Sequence, residues 1–454
     1  MSDSKTSKTT SHTTTSGRLT NSSTNNSINK SIETEAIHAG YRPDPATLSA
    51  AVPLYRTSSY VFKSAQHAID LFSLKDLGNV YSRIGNPTNE VLEARVTALE
   101  KGAASVAVAS GTAAIFNTVV TIARAGDEIV SASNIYGGTY TMFDAILPDL
   151  GITTHFVNDL APASFEAAIT EKTRLVFVET IGNPSLDVAD IDAIAKVAHQ
   201  YHVPLVIDAT FTTPYLLRSI EHGADIVVNS LTKWLGGHGT AIGGIITDAG
   251  SFDWSDPKFV LFNRPDPNYH GLVWTRDLPG ELAATPFAAR TRNVPLRNLG
   301  ACLSPDNAWL FLQGIETLAV RMARHSENAR DVARFLANHA KVAWVRYPGL
   351  EGDPSYALAQ QLLPKGAGGM VVFGIRGGRA AGEKFIDQLK LFSHLANVGD
   401  AKSLALHPAS TTHSQLSEEQ QRAAGLSPDL VRLSIGLEAI EDIIADLEQA
   451  LAQA

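Results

Sequence analysis

Cysteine is almost missing: Cys302 is the only one among 454 residues. An internal disulfide framework and any metal cluster held by several thiolates are therefore excluded, and no metal is expected. A lone thiol suits a reducing cytoplasm, which is the expected location. A surplus of basic charge is missing too, with 37 Lys and Arg against 46 Asp and Glu and a formal net charge of −9. Proteins that wrap nucleic acid present a basic face, so nucleic acid is not an expected partner. No apolar run approaches the length needed to cross a bilayer, and no membrane partner is expected. The first thirty residues hold only Met1, Leu19 and Ile28 as sizeable apolar side chains. They offer neither the apolar stretch of a signal peptide nor the Arg-rich amphipathic helix of a transit peptide. Residues 1–31 are expected to form a disordered tail, being too polar to bury surface.

What remains is ordinary globular material, 44% hydrophobic and 18% charged, and long enough for two or three domains. Residues 32–90 show weak periodicity and turn formers such as Pro43, Pro53 and Pro87, which reads as an extended N-terminal arm. From residue 91 short apolar runs alternate with helical stretches. Candidate strands are 104–109, 128–132, 153–157, 174–179, 204–208, 225–229 and 243–247, with helical spacing at 111–124 and 190–202. β-Branched runs separated by helices predict an α/β fold built on a mostly parallel, doubly wound seven-stranded sheet. This large domain is expected over 91–310. Within it, residues 251–297 break the rhythm; rich in Asp, Pro and aromatics, they read as a long functional loop region. Helical patterns at 305–336, strands near 342–347, 369–375 and 430–435, and a closing helix at 438–452 predict a smaller α+β C-terminal domain over 311–454.

In open parallel sheets ligands bind beyond the carboxyl ends of the strands, so polar residues just after each candidate strand matter most. Ser110-Gly111-Thr112 opens a helix after the first strand. Backbone N–H groups exposed there suit an anion such as phosphate, although an ordinary N-cap uses the same residue types. Asp208 ends PLVID, where an acid can pair with a cationic ring nitrogen, bind a metal or cap a turn. Asn183-Pro184 follows RLVFVET and is equally compatible with a plain turn. Lys233 lies in SLTKWLGGHG (230–239), after DIVVN, among hydroxyls, glycines and an indole. A lone lysine is ordinarily a solvated surface charge. Desolvation in such a setting lowers its pKa and exposes the neutral amine that carbonyl chemistry needs.

That lysine run resembles the corresponding segment of the Cys/Met-metabolism pyridoxal 5'-phosphate (PLP) dependent enzymes, which have PLP-dependent transferase fold type I. The resemblance extends from about residue 32 to the end. It passes through YSRIGNPT (81–88), ASGTAAI (109–115), NIYGGTY (134–140), ETIGNPSLDVADI (179–191), VIDATFTTPY (206–215), HPASTTH (407–413) and VRLSIGLE (431–438). It implies that Lys233 holds PLP covalently and later shuttles protons, and that Asp208 pairs with the pyridine nitrogen. Tyr136 would stack on the ring. Gly111 and Thr112 would present backbone N–H groups to the phosphate, with Ser230 and Thr232 adding hydroxyls. Tyr81 and Arg83 would reach the phosphate of a neighbouring subunit, which makes a homodimer the minimal unit and a homotetramer usual. Arg432 would clamp the substrate carboxylate. Asn183 would orient the ring oxygen and that carboxylate, and Asn397 would join the substrate-binding set. Thr112 stands where relatives often carry Met or Gln, and Ala209 where an Asn is common.

Within the family, Gly138 occupies the place of a cysteine typical of methionine γ-lyases. The segments 251–274, 298–318 and 396–416 resemble the O-acetylhomoserine sulfhydrylase branch. The implied reaction is γ-replacement, O-acetylhomoserine plus sulfide (or a thiol) giving homocysteine and acetate. O-succinylhomoserine sulfhydrylase and cystathionine γ-synthase chemistry are the alternatives within the family. Two other classes are weighed beside it. Ser230-Leu231-Thr232-Lys233 matches the S-x-x-K motif of serine acyltransferases, but the S-D-N and K-T-G elements that accompany it are absent. A non-catalytic PLP-fold binding module would carry an added basic DNA-binding domain, which the polar tail is not.

Overall fold

The computed structural model describes residues 30–411 and 427–454. The expected tail falls outside the described residues up to position 29, as does the end of the HPASTTH segment. The seven expected strands form one sheet: β1 (Ala104–Val108), β2 (Glu128–Ala132), β3 (Thr153–Val157), β4 (Thr173–Glu179), β5 (Leu205–Asp208), β6 (Ile226–Ser230) and β7 (Gly244–Asp248). Their order is β1-β7-β6-β5-β4-β2-β3. β3, β2, β4, β5 and β6 run parallel, while β7 is antiparallel to both β6 and β1. β5 and β6 are buried along nearly their whole length because helices cover both faces of the sheet, which explains their unbroken apolar runs.

Helices start where the local chemistry satisfies their first N–H groups. Ser110 caps Gly111–Ile122 by accepting from Ala113 N at 3.0 Å, and Asn86 caps Pro87–Glu100 by accepting from Thr88 N, also at 3.0 Å. The first of these packs on β6 and β7, the second on β1. A helix hidden by the weak periodicity of the arm, Ile32–His38, buries Ile32 and Ala36 against Pro87–Glu100.

The stretch 251–297 is packed structure rather than a loop open to ligand. Its aromatic residues form a buried ring cluster, with Trp254 stacked on Phe262 (centroids 4.5 Å apart) and on Phe287 (5.5 Å). Ring stacking has no sequence period, so composition alone reads such a segment as irregular.

Two helices, Pro305–Glu316 and Leu318–Ala337, break at Thr317 and lead to the second sheet. The residue 310/311 boundary lies inside the first of them. The second sheet contains β8 (Val342–Arg346), β9 (Met370–Ile375), β10 (Ser393–His394), β11 (Leu404–Leu406) and β12 (Leu430–Ser434), in the order β10-β11-β12-β9-β8. The closing helix is Ile440–Gln453. Cys302 is partly buried and bridges to Val108 at the edge of β1. Among the described residues no helix is long and apolar enough to cross a membrane.

Candidate active site

The carboxyl edge of the first sheet gathers most of the candidate residues. Lys233 follows β6 in a five-residue turn, Leu231–Leu235, whose backbone leaves helical geometry at the lysine itself (φ −92°, ψ −134°). Its Nζ donates to Asn397 Oδ1, which arrives from the second domain. Desolvation, with the Arg432 charge adding to it, pushes the Lys233 amine down to about 8. About half of the amine is therefore neutral near pH 8, far more than for an ordinary solvated lysine.

Asp208 ends β5, the strand beside β6, so the acid and the lysine share one edge of the sheet. Its Oδ1 accepts from Thr210 N at 2.9 Å, while Thr210 Oγ1 accepts from Ser230 N at 2.9 Å. This chain of contacts locks the acid to the turn that carries the lysine. Burial pushes the Asp208 carboxyl up. Such a carboxylate gains most from a cationic partner, because an unpaired charge is costly there. Ala209 is fully buried and donates its N–H to Val228 O at 2.9 Å, a position that takes a small apolar side chain.

Glu179 was not among the residues picked out from sequence. It ends β4 in register with Asp208, is buried, and accepts the Tyr136 N–H at 2.7 Å. Burial and the neighbouring Asp208 hold its carboxyl well above the usual carboxylate range. The physical expectation for two abreast carboxyls is one charge between them. Glu179 takes the neutral role, leaving the charge to Asp208. The rule that directs attention to strand ends would have found it, since it is the acid terminating TRLVFVE.

Tyr136 is half exposed and folds its ring over Gly138. A β-carbon at position 138 would lie 2.6 Å from Tyr136 Cε1, so only glycine admits this ring pose. Gly111 makes a comparable close approach: a β-carbon there would lie 2.7 Å from Ser230 Cβ and 3.0 Å from its Oγ. The open N–H groups of the Gly111–Ile122 helix and the Ser230 hydroxyl thus face one small space, with Thr112 exposed beside it. Thr232 differs from expectation. Its hydroxyl donates to Gly243 O at 3.2 Å and accepts from Gly243 N at 3.1 Å, so its proton is committed to the backbone in this structure.

Arg432 lies on β12, and its Nη1 donates to Asn183 Oδ1 at 3.3 Å. Burial pushes its guanidinium down to about 10. No carboxylate pairs with it among the described residues. A fork of this kind is suited to a ligand carboxylate. Tyr81 and Arg83 are held apart from this group: Tyr81 bridges to Ser59, and Arg83 donates to Arg297 O and sits 5.2 Å over the Tyr81 ring. The S-x-x-K reading needs Lys233 Nζ on Ser230 Oγ; Nζ is directed to Asn397 instead.

A desolvated lysine amine, a buried acid in the adjoining strand and an anion-facing helix start define the site of an enzyme that binds an aldehyde cofactor with a basic ring nitrogen and a phosphate. The chain belongs to the family described as Cys/Met metabolism PLP-dependent enzymes, whose model matches residues 33–452. It is 54% identical to O-acetyl-L-homoserine sulfhydrylase of Leptospira meyeri, over 92% of this chain and 96% of the relative. It is 52% identical to homocysteine synthase of Schizosaccharomyces pombe, over 92% of this chain and 97% of the relative. A Campylobacter jejuni crystal structure assigned as an O-acetylhomoserine (thiol)-lyase superposes with a TM-score of 0.88 at 41% identity, over 93% of this chain and 99% of that one. That structure contains N'-pyridoxyl-lysine-5'-monophosphate. The protein is a PLP-dependent enzyme of the fold type expected. The residues present fit the cofactor: neutral amine for aldehyde, carboxylate for ring nitrogen, and a β-carbon-free cradle at Gly111 for phosphate.

Proposed function

We propose that this protein catalyses γ-replacement, converting O-acetylhomoserine and sulfide to homocysteine and acetate, with another thiol giving the corresponding S-substituted homocysteine. The observation that carries the reading is the meeting of Lys233 Nζ with Asn397 beside the Arg432–Asn183 couple, which has no carboxylate partner among the described residues. The choice of acetyl ester and sulfide rests on the names of the relatives at 54% and 52% identity.

Bound PLP supplies an electron sink for the bonding pair left at the substrate Cα. The chain's residues do the rest. Arg432 grips the substrate α-carboxylate through its two-pronged guanidinium, and Asn183 orients that fork. The grip fixes the torsion that sets the Cα–H bond against Lys233. Lys233 Nζ, in its neutral form, would take the Cα proton, and loss of a proton from Cβ would follow. Acetate then departs from Cγ with the C–O bonding pair. Sulfide forms the new C–S bond at Cγ, and protons return to Cβ and Cα. Asp208 would pair by charge with the cofactor's ring nitrogen, while Tyr136 would stack on the ring and offer its hydroxyl to proton transfer.

Tyr81 and Arg83 serve the phosphate of a second copy in this reading, so the working unit is a homodimer or a tetramer of two dimers. Exposed apolar side chains on the arm, among them Leu48, Val61, Ile69 and Phe72, support a covering partner of the same chain. The free thiol of Cys302 supports a cytoplasmic location.

Steady-state assays with acetyl, succinyl and phospho esters of homoserine, each with sulfide or cysteine, test the proposal. Homocysteine formed preferentially from the acetyl ester and sulfide is the expected result. Cystathionine from cysteine as the main product would move the enzyme to the synthase branch.

A further inference from the structure

Arg321 is a fully charged type of side chain buried at 4% exposure, and among the described residues no carboxylate pairs with it. It sits near the start of the Leu318–Ala337 helix, at the junction between the domains. Its guanidinium spends its donors on backbone carbonyls. Nη1 reaches Trp234 O at 2.7 Å; Nη2 reaches Gly314 O at 2.7 Å and Leu235 O at 3.1 Å; Nε reaches Thr317 Oγ1 at 3.1 Å.

Two of those carbonyls belong to the turn that carries Lys233. The turn ends at Leu235: its own bonds run from Gly236 N–H to Leu231 O and from Gly237 N–H to Lys233 O, and they leave the last two carbonyls of the turn unserved. Trp234 O and Leu235 O would be buried acceptors without donors, and Arg321 supplies the donors. The cation, in turn, has the negative end of this turn in place of an acid. The fit is close: a β-carbon at Gly237 would lie 2.1 Å from Arg321 Nη1, so the glycine makes the space the guanidinium fills. Gly237 also links the turn onward, since its N–H donates to Lys233 O at 2.7 Å and its carbonyl accepts from Ala401 N at 2.9 Å. Ala401 follows closely on Asn397, the residue that receives Lys233 Nζ.

We propose that Arg321 is a positioning residue for Lys233, pinning the lysine turn to the helix pair at the domain junction and so setting the reach of Nζ toward the cofactor aldehyde and the substrate Cα. It touches neither cofactor nor substrate. The proposal rests on Lys233 being the lysine that bonds the cofactor, and not on which homoserine ester is used.

The test uses full-length enzyme loaded with pyridoxal phosphate and the variant Arg321→Lys, which keeps the charge and the stem but cannot serve three carbonyls from one plane. Two readouts are taken: the pH titration of the absorbance of the lysine–cofactor bond, and kcat against KM. We expect the titration midpoint to move by about half a unit or more. We also expect kcat to fall about tenfold with KM changed less than about threefold, the pattern of lost alignment rather than lost affinity. A folded variant with the wild-type titration overturns the proposal, whether or not kcat falls. Should Arg321→Lys not fold, Thr317→Val carries the test, since it removes the hydroxyl that accepts from Nε and donates to Gly314 O while leaving the guanidinium in place. The same two shifts at smaller size support the proposal, and wild-type values overturn it. If the wild-type enzyme turns over no homoserine ester, the proposed reaction fails, while the absorbance titration still decides the role of Arg321.

Discussion

Lys233 and Asn397 lie 164 residues apart in the chain, yet the lysine Nζ donates directly to the amide Oδ1. The contact crosses from the first sheet to the second domain. It keeps the amine on the side of the sheet edge where Arg432 and Asn183 stand. Removing the acceptor frees the lysine to rotate. Asn397→Ala is expected to keep its cofactor and to lose about tenfold in kcat, as measured by steady-state kinetics on protein of known cofactor content. Unchanged kcat would show that the amine needs no such guide.

Asp208 concerns cofactor electronics more than attachment. Asp208→Asn keeps the shape and the contact from Thr210 N but cannot hold a proton on a ring nitrogen by charge. We expect weaker cofactor binding and a fall in kcat of about a hundredfold or more, read from equilibrium dialysis and turnover. Wild-type rates would remove the acid from its assigned role.

Gly138 tests the pose of Tyr136. Gly138→Ala places a methyl 2.6 Å from Tyr136 Cε1, so the ring must swing away. The expected result is a loss of about tenfold in kcat/KM with no loss of fold by circular dichroism. An unaltered kcat/KM would mean the ring pose is unimportant.

Glu100 gives a prediction about stability. It is fully buried, accepts from Asn229 Nδ2 at 2.8 Å, and burial raises its carboxyl to about 8. Glu100 Oε2 and Asn229 Oδ1 are both buried without a partner, an arrangement that a protonated carboxyl satisfies by donating across the pair. The folded pKa stands above the unfolded value of about 4.3. Its stabilising contribution is therefore full below that value and is lost as pH rises through about 8. Glu100→Gln, which imitates the protonated acid, should raise Tm at pH 8 by a few degrees and flatten its decline between pH 5 and 8, measured by thermal unfolding. A variant less stable than wild type at pH 8 would contradict this.

The strands were legible because β-branched runs of five or so residues, parted by helices, admit little else; all seven of the first sheet lie within a residue of their expected ends. Lys233 and Asp208 were legible from their places after two of those strands. β10 and β11, two and three residues long, are too short to show a period. Arg321 reads as one more cation in an amphipathic helix, and nothing local reveals that its partners are carbonyls of a distant turn. The aromatic segment 251–297 misled because composition cannot distinguish a loop rich in rings from rings stacked in a core. Asn397 and Arg432 depend on a fold that brings the second domain over the edge of the first sheet, so only resemblance pointed to them.

The central claim is that one amine, Lys233 Nζ, bonds the cofactor. Borohydride reduction of the loaded enzyme, followed by proteolysis and mass spectrometry, tests it most directly. The account predicts a pyridoxyl phosphate adduct on the peptide containing Lys233 and on no other lysine. An adduct elsewhere, with Lys233 unmodified, would contradict it.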